Sequence, residues 1–233
     1  MGAILMKVPF LKRENLRDAV IRLIEEALLM GELSPGSRIV EAELARQAGI
    51  SRGPVREAIQ QLVGEGVLIQ YPSRGTFVVQ WTPQAVEEAY TLRAVLERLA
   101  IQEAAKRAKP EDIAQLQAIV DEMAVCARDG DDRALVRLDV RFHEQLYALS
   151  GHLLLQEVLA RLRRRLYALM GMDEGYMLHK DEMAQDHQRI VDALKTGDAA
   201  LAGEVISAHI LAVGAEVVEQ VRQRTEESNE TGR

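Results

Sequence analysis

The sequence predicts a mainly α protein: an N-terminal winged helix-turn-helix of three helices plus a β-hairpin wing, followed by an all-α six-helix bundle. Hydrophobic residues make up 48% of the 233-residue chain but aromatic residues only 4%, which favours helices over a β-sandwich or barrel. Apolar residues also recur at helical spacing in successive segments separated by glycine, proline or capping residues. We expect the first unit at residues 1–80, the bundle at 83–224 and a disordered polar tail at 225–233.

Three helices and a hairpin are predicted in the N-terminal unit. The helices are placed at residues 16–30, at 41–47 and from Ser51 to about 64–66, and the strands at 68–71 and 76–79. The turn before Ser51 contains Gly49, where a left-handed conformation would be needed. Ser51 is expected to cap the third helix with its hydroxyl, and Pro54 falls in the first turn, where a missing N–H costs least. Two short helices joined by such a turn form the helix-turn-helix pattern.

Two pairs of neighbouring residues make this unit a candidate for binding DNA. Arg52 and Arg56 are four residues apart and share one exposed side at the start of the third helix. Guanidinium groups there suit phosphate and the O6/N7 edge of guanine. At the hairpin tip, Arg74 puts a cation beside Gly75, whose bare backbone allows close approach to a groove. A surface helix with two arginines and a plain structural turn are the alternatives.

The charge and cysteine content are compatible with DNA binding without establishing it. The net charge is −7, yet residues 1–80 hold 10 basic and 9 acidic residues (+1), and residues 81–233 hold 19 and 27 (−8). An acidic second unit still permits local contact with DNA by the first unit. The single cysteine, Cys126, excludes an intrachain disulfide and favours a cytoplasmic location. The apolar runs are shorter than a membrane span, so no membrane partner is expected.

The first unit resembles the winged helix-turn-helix of GntR-type bacterial transcription regulators. The matching residues follow one another at the right spacing: Gly31–Gly36, Glu43–Ala45, Ser51–Ala58, Leu62, Glu65-Gly66 and Arg74-Gly75. The resemblance implies that double-stranded operator DNA is contacted from the recognition helix and from the wing, by Ser51, Arg52, Gly53, Arg56, Arg74 and Gly75.

Six helices are predicted in the second unit, at roughly 83–107, 110–128, 131–149, 152–170, 180–195 and 198–224. Proline, glycine and aspartate at the intervening positions provide the start and stop signals. An arginine run in the fourth of these helices is expected to form a solvated or dimer-facing stripe: Arg161, Arg163, Arg164 and Arg165.

Four potential metal ligands are predicted to converge in this bundle. Asp139 and His143 are four residues apart, so both side chains leave one face of their helix. His187 and His209 each lie eleven residues from Asp198, the expected cap of the last helix, and an antiparallel hairpin brings them side by side. One carboxylate and three imidazoles suit a divalent metal ion, with zinc or nickel favoured. Any one of these histidines taken alone is better explained as an ordinary core or surface side chain, and it is the convergence of four candidate ligands that indicates a metal site.

Residues 83–224 resemble the FCD ligand-binding domain of the FadR subfamily of GntR regulators, in its metal-binding, VanR-like branch. The matching residues are Leu92–Glu97, Asp139–His143, Ser150-Gly151, Asp186-His187, Gly197-Asp198 and His209. The resemblance favours a role for Arg93 in binding the carboxylate of a small organic acid. The alternative for Arg93 is a surface ion pair with Glu97.

The expected function is that of a ligand-responsive transcription regulator that binds its operator as a homodimer and is not an enzyme. Two other functions stay open at this stage. A metal sensor would need no organic effector, and a metalloenzyme could use the same histidines and carboxylate for catalysis.

Overall fold

The computed structural model describes residues 11–170 and 180–231 and confirms the mainly α architecture. The N-terminal unit contains α1 (Leu11–Leu29), β1 (Arg38–Ile39), α2 (Glu41–Gln47), α3 (Arg52–Gly64), β2 (Leu68–Tyr71) and β3 (Gly75–Val78). The bundle contains α4 (Pro83–Ala105), α5 (Pro110–Asp129), α6 (Asp132–Leu149), α7 (Leu153–Met170), α8 (Lys180–Lys195) and α9 (Ala199–Thr231). The strands form one antiparallel sheet in the order β1-β3-β2.

The helix-turn-helix matches the sequence prediction closely, with one local correction. Helix α2 has the predicted bounds, and Gly49 has the expected positive φ of 64°. Ser51 occupies the N-cap position of α3 with extended backbone, but its hydroxyl makes no capping hydrogen bond. A capping hydroxyl accepts from the N–H of the second or third helical residue, and the third is Pro54, which has none. Ser51 therefore occupies the predicted N-cap position, but the predicted hydrogen bond from its hydroxyl is wrong.

The larger differences from the prediction are two helix boundaries and one additional strand. Helix α1 begins at Leu11, before the predicted start at residue 16, and the short strand β1 was not predicted. Helix α9 continues to Thr231, so residues 225–231, which the sequence predicts to be disordered, are helical. The reason is that no glycine or proline interrupts residues 215–231, and buried Val217 and Val221 anchor the preceding turns.

Helices α4 and α9 pack in close contact along the bundle. A Cβ atom at Gly214 would lie 2.6 Å from the Cβ of Tyr90, so only glycine permits this approach. By length and composition alone, α9 could also cross a membrane over Ala199–Glu227, a property that core helices of soluble proteins share.

The hydrophobic core of the N-terminal unit extends into the bundle. Its members from α1 and α3, such as Ile24 and Leu62, are fully buried. The same cluster includes Val136 and Val140 of α6 and Tyr167 of α7. The two predicted units therefore share a packed boundary through α6 and α7.

Candidate functional site

The four predicted metal ligands come together at the junction of three helices. Asp139 and His143 lie one turn apart on α6, His187 lies on α8 and His209 on α9. One ligand atom from each residue lies within 4.8 Å of the other three. The His187 and His209 rings are side by side, with centroids 4.9 Å apart, as their equal distance from the interhelical turn predicts. Asp198 caps α9 by accepting from two backbone N–H groups, which fixes that turn.

Hydrogen bonds on the outer side of two imidazole rings direct their other nitrogen into the cluster. His143 Nδ1 donates to Glu97 at 2.6 Å, and His187 Nδ1 donates to the Met183 carbonyl oxygen at 2.8 Å. In the neutral rings each Nε2 then carries a lone pair. Within residues 11–170 and 180–231, neither buried Nε2 atom has a hydrogen-bond partner. His187 Nε2 lies 3.0 Å from Asp139 Oδ1, so two electron-rich atoms face each other unless a cation or proton lies between them.

Burial and neighbouring charges shift the pKa values of two residues of the cluster, Asp139 and His209. Burial acts to raise the pKa of Asp139, but the contact with His187 and the charges around it hold that pKa well below its ordinary value. Burial, together with the neighbouring His187 and His143, lowers the pKa of His209 well below its ordinary value. The site therefore offers an ionised carboxylate and a neutral imidazole, which are the metal-binding forms.

Glu97 connects the candidate ligand His143 to two supporting side chains, Arg93 and Tyr147, a role that sequence reasoning missed. Its carboxylate is fully buried and accepts from His143, from Arg93 Nε at 2.6 Å and from the Tyr147 hydroxyl at 2.6 Å. Burial alone would raise the pKa of Glu97, but Arg93 and His143 hold it well below its ordinary value. Glu97 is therefore an ionised group that fixes the orientation of a metal ligand.

Arg93 forms the ion pair that the sequence offered as the alternative, but the pair is buried rather than at the surface. The Arg93 side chain is 5% exposed, and burial opposes its charge while Glu97 raises its pKa well above the ordinary value. The signal for this arrangement was present in the sequence, since Arg93 and Glu97 lie four residues apart in a largely apolar helix. What the sequence did not reveal was which face of α4 turns inward.

The four candidate ligands, Asp139, His143, His187 and His209, are called the metal cluster below. A cavity of about 440 Å³ opens onto this cluster between α8 and α9. Asp139, His187 and His209 line it together with apolar residues of α9, including Val213. Charged side chains also line it: Glu182, Asp186, Arg189 and Glu216. Arg93 is not among the residues described as lining this cavity. Direct contact of Arg93 with an effector therefore stays a prediction, and the contact with Glu97 is the one observed.

The predicted DNA-contacting residues lie at the start of α3 and at the tip of the wing. Arg52 and Arg56 are both exposed, and Arg56 forms a two-point ion pair with Glu41 of α2, with distances of 2.8 and 3.2 Å. A Cβ atom at Gly53 would meet open space except for the Ser51 hydroxyl oxygen at 4.0 Å. The recognition helix thus leaves its first turn accessible to a ligand.

The wing presents the other predicted contact residues. Gly75 has a positive φ of 107°, which favours glycine. The Arg74 guanidinium lies 5.7 Å from the centroid of the exposed Tyr71 ring, a distance consistent with a cation–π contact. Both residues lie on the hairpin that follows the recognition helix.

Part of the arginine run of α7 joins the two units, whereas Arg161 and Arg165 are exposed. Arg164 forms ion pairs with Glu25 of α1 at 2.6 Å and with Glu65, the C-cap of α3, at 2.8 Å. The Arg165 guanidinium lies 5.4 Å from the centroid of the Trp81 ring at the junction between the units. The expectation of a solvated stripe holds for the exposed Arg161 and Arg165 and is wrong for Arg164, because the sequence does not show that α7 packs against α1.

Helix α6 contributes to both the metal cluster and the N-terminal core. Asp139 and His143 face the cluster, whereas Val136 and Val140 belong to the hydrophobic core that contains α1 and α3. Adjacent residues of one rigid helix therefore contact the metal cluster and the DNA-reading unit.

A winged helix-turn-helix packed on a helical bundle that contains a buried cluster of potential metal-binding side chains defines a DNA-binding regulator with a sensor domain. Residues 16–78 match the family described as bacterial regulatory proteins, gntR family, and residues 88–212 match the FCD domain family. The chain belongs to the GntR family of bacterial transcription regulators, in the group that carries an FCD domain.

Individual relatives support this membership. The chain is 30% identical over 216 residues to an HTH-type transcriptional regulator in an unstable DNA locus of Streptomyces ambofaciens, covering 92% of this chain and 89% of that protein. It is 30% identical over 228 residues to a putative L-lactate dehydrogenase operon regulatory protein of Escherichia coli, covering 84% and 83%. The solved structure of E. coli McbR/YncC superimposes with a TM-score of 0.77 at 25% identity, covering 90% of this chain and 98% of that one. These relatives are named as regulators, in agreement with a non-enzymatic function.

Proposed function

We propose that the protein binds operator DNA as a cytoplasmic homodimer, and that a divalent metal ion together with a small organic acid controls this binding. The observation that carries the metal assignment is the pair of buried Nε2 atoms without a hydrogen-bond partner among the described residues, beside an ionised carboxylate. A cation at this point would satisfy His143, His187 and Asp139 together. Without a cation, His143 Nε2 would stay a buried acceptor with no partner among the described residues.

Zinc or nickel fits the donor set of one carboxylate and three imidazoles. Asp139, His143, His187 and His209 would hold the ion, and Glu97 and the Met183 carbonyl would fix two of the rings. When bound, such an ion supplies positive charge and open coordination positions for a carboxylate.

The cavity beside the cluster favours a small organic acid as the effector. The candidate metal ligands and apolar residues of α9 such as Val213 line the same cavity, so an acid could place its carboxylate at the ion and its carbon skeleton against those apolar residues. A relative named for an L-lactate dehydrogenase operon makes short hydroxy acids the first compounds to screen. We propose Arg93 chiefly as a positioning residue for Glu97, and its direct contact with the effector stays a prediction from the resemblance.

Helix α6 provides the route by which the bundle affects the DNA-reading unit. Binding at the cluster ties α6 to the α8–α9 hairpin, and α6 packs through Val136 and Val140 into the core beneath the recognition helix. Arg164 adds ion pairs to α1 and to the end of α3. An effector that favours one position of α6 therefore changes the relative stability of two arrangements of the DNA-binding unit.

In the DNA-bound state the proposed contacts are those predicted from the sequence, from α3 and from the wing: Ser51, Arg52, Gly53, Arg56, Arg74 and Gly75. The ion pair of Arg56 with Glu41 is exposed, so DNA can replace it at little cost.

The function is tested by measuring DNA affinity as a function of metal and acid. The probe is a labelled duplex selected by the protein from a random pool, and its affinity is measured for chelator-treated protein, zinc-loaded protein, and zinc-loaded protein with L-lactate and related short acids. Native mass spectrometry on the same samples reports metal content and subunit number. A change in affinity that requires both metal and acid supports the proposal. A response to metal alone identifies a metal sensor, and a monomer with no response to either ligand contradicts the proposal.

A further inference from the structure

The edge strand of the wing carries an arginine that no sequence motif marked as a DNA contact. Arg38 lies on β1, which pairs with β3 so that Arg38 is opposite Phe77, and its side chain is exposed. Its guanidinium lies against the tip of the wing. A Cβ atom at Gly75 would be 3.3 Å from Arg38 Nε and 3.5 Å from its Nη2.

This arrangement gives a second reason for glycine at position 75. Any other residue would have to adopt a φ of 107° and would crowd the Arg38 guanidinium. With glycine there, Arg38 extends along the bare backbone of Gly75, next to Arg74 in the sequence. The wing therefore carries two exposed arginines, Arg38 beside Gly75 in space and Arg74 beside it in sequence.

The arginines of this unit differ in whether a carboxylate neutralises them. Arg46 and Arg56 on the helix-turn-helix are paired with Glu43 and Glu41. Among the residues that the structure describes, the Arg38 side chain has no ion pair or hydrogen bond. An exposed arginine held at the wing without a counter-charge adds positive potential at that place.

We propose that Arg38 is a further DNA-contacting residue, which binds a phosphate of the backbone beside the groove that the wing approaches. A planar guanidinium fork suits a phosphate, and the Arg38 guanidinium occupies the space at the tip of the wing that a side chain at Gly75 would otherwise take. Arg38 contributes affinity that is independent of base sequence, because a phosphate contact carries no sequence information. The wing then binds DNA through Arg38 and Arg74 together.

The salt dependence of DNA binding tests this proposal directly. Full-length wild type and Arg38→Gln are compared on a short duplex of mixed sequence across a series of salt concentrations. The slope of log K against log salt is negative, and loss of one phosphate contact should make it less negative by about 0.9. Arg128→Gln, which removes an exposed arginine at the end of α5, is the matched control for net charge and should keep the wild-type slope.

Two further variants separate a DNA contact from a structural role. Arg38→Lys keeps the charge and the aliphatic stem, and it should keep the wild-type slope with weaker affinity because the fork is lost. Arg52→Gln should weaken binding whether or not Arg38 contacts DNA, so it reports on the recognition helix separately. Wild-type slope and affinity for a thermally stable Arg38→Gln would overturn the assignment. If Arg38→Gln is unstable, Arg38→Lys decides instead. A stable Arg38→Lys whose slope is less negative than that of wild type would overturn the assignment.

Discussion

Replacing Glu97 by glutamine should weaken metal binding and the stability of the bundle at the same time. Glu97 is fully buried and is the shared acceptor for Arg93, His143 and Tyr147 at 2.6 Å each. Glutamine keeps the shape but removes the negative charge. The Arg93 guanidinium, only 5% exposed, would then lack its closest counter-charge, and His143 could adopt the other tautomer.

The expected magnitudes follow from these contacts. Removing one partner of a buried ion pair costs about 3–5 kcal/mol. For a protein of this size each kcal/mol lowers the melting temperature by roughly 2–4 °C, so a decrease of about 6–20 °C is expected. Loss of a hydrogen bond that orients a metal ligand typically reduces metal affinity by about 10- to 100-fold.

Thermal denaturation of chelator-treated and zinc-loaded protein measures the first effect, and competition with a chromophoric chelator measures the second. Glu103→Gln is the matched control on the same helix, because Glu103 pairs with Lys106 at the surface, and no clear change is expected. Arg93→Met combined with Glu97→Gln should recover part of the stability, since it removes the unpaired charge. A Glu97→Gln variant with wild-type melting temperature and zinc affinity would refute the reasoning.

Three shorter predictions concern the metal, the junction and the recognition helix. His209→Ala should lose bound metal, as elemental analysis of the purified protein would show, and full occupancy would contradict the four-ligand site. Arg164→Met should keep its metal but reduce the effect of metal on DNA affinity, because it removes the ion pairs from α7 to α1 and α3; an unchanged metal response in fluorescence anisotropy would contradict this coupling. Arg52→Ala and Arg56→Ala should each weaken operator affinity about ten-fold or more at fixed salt, and wild-type affinity in both would remove α3 from the DNA contact.

The sequence alone determined the features that depend on local interactions. Helix α2 and the left-handed Gly49 follow from neighbouring residues, and so do most boundaries of the bundle helices. The proximity of His187 and His209 was also predictable, because a helical hairpin with a capped turn brings equally spaced residues together. Each of these arguments needs only helix geometry and the chemistry of caps and turns.

Only the tertiary structure decided which polar groups are buried and what they contact. Arg93 and Glu97 have the same spacing in the sequence whether their face of α4 is solvated or enclosed. The partners of Glu97 on α6, His143 and Tyr147, lie 46 and 50 residues further along the chain. Packing likewise decided that α6 lies between the metal cluster and the N-terminal core, and that β1 brings Arg38 to Gly75. Such contacts depend on how elements distant in the sequence are arranged in space. Local propensity and spacing do not contain that information, because burial is a property of the assembled fold.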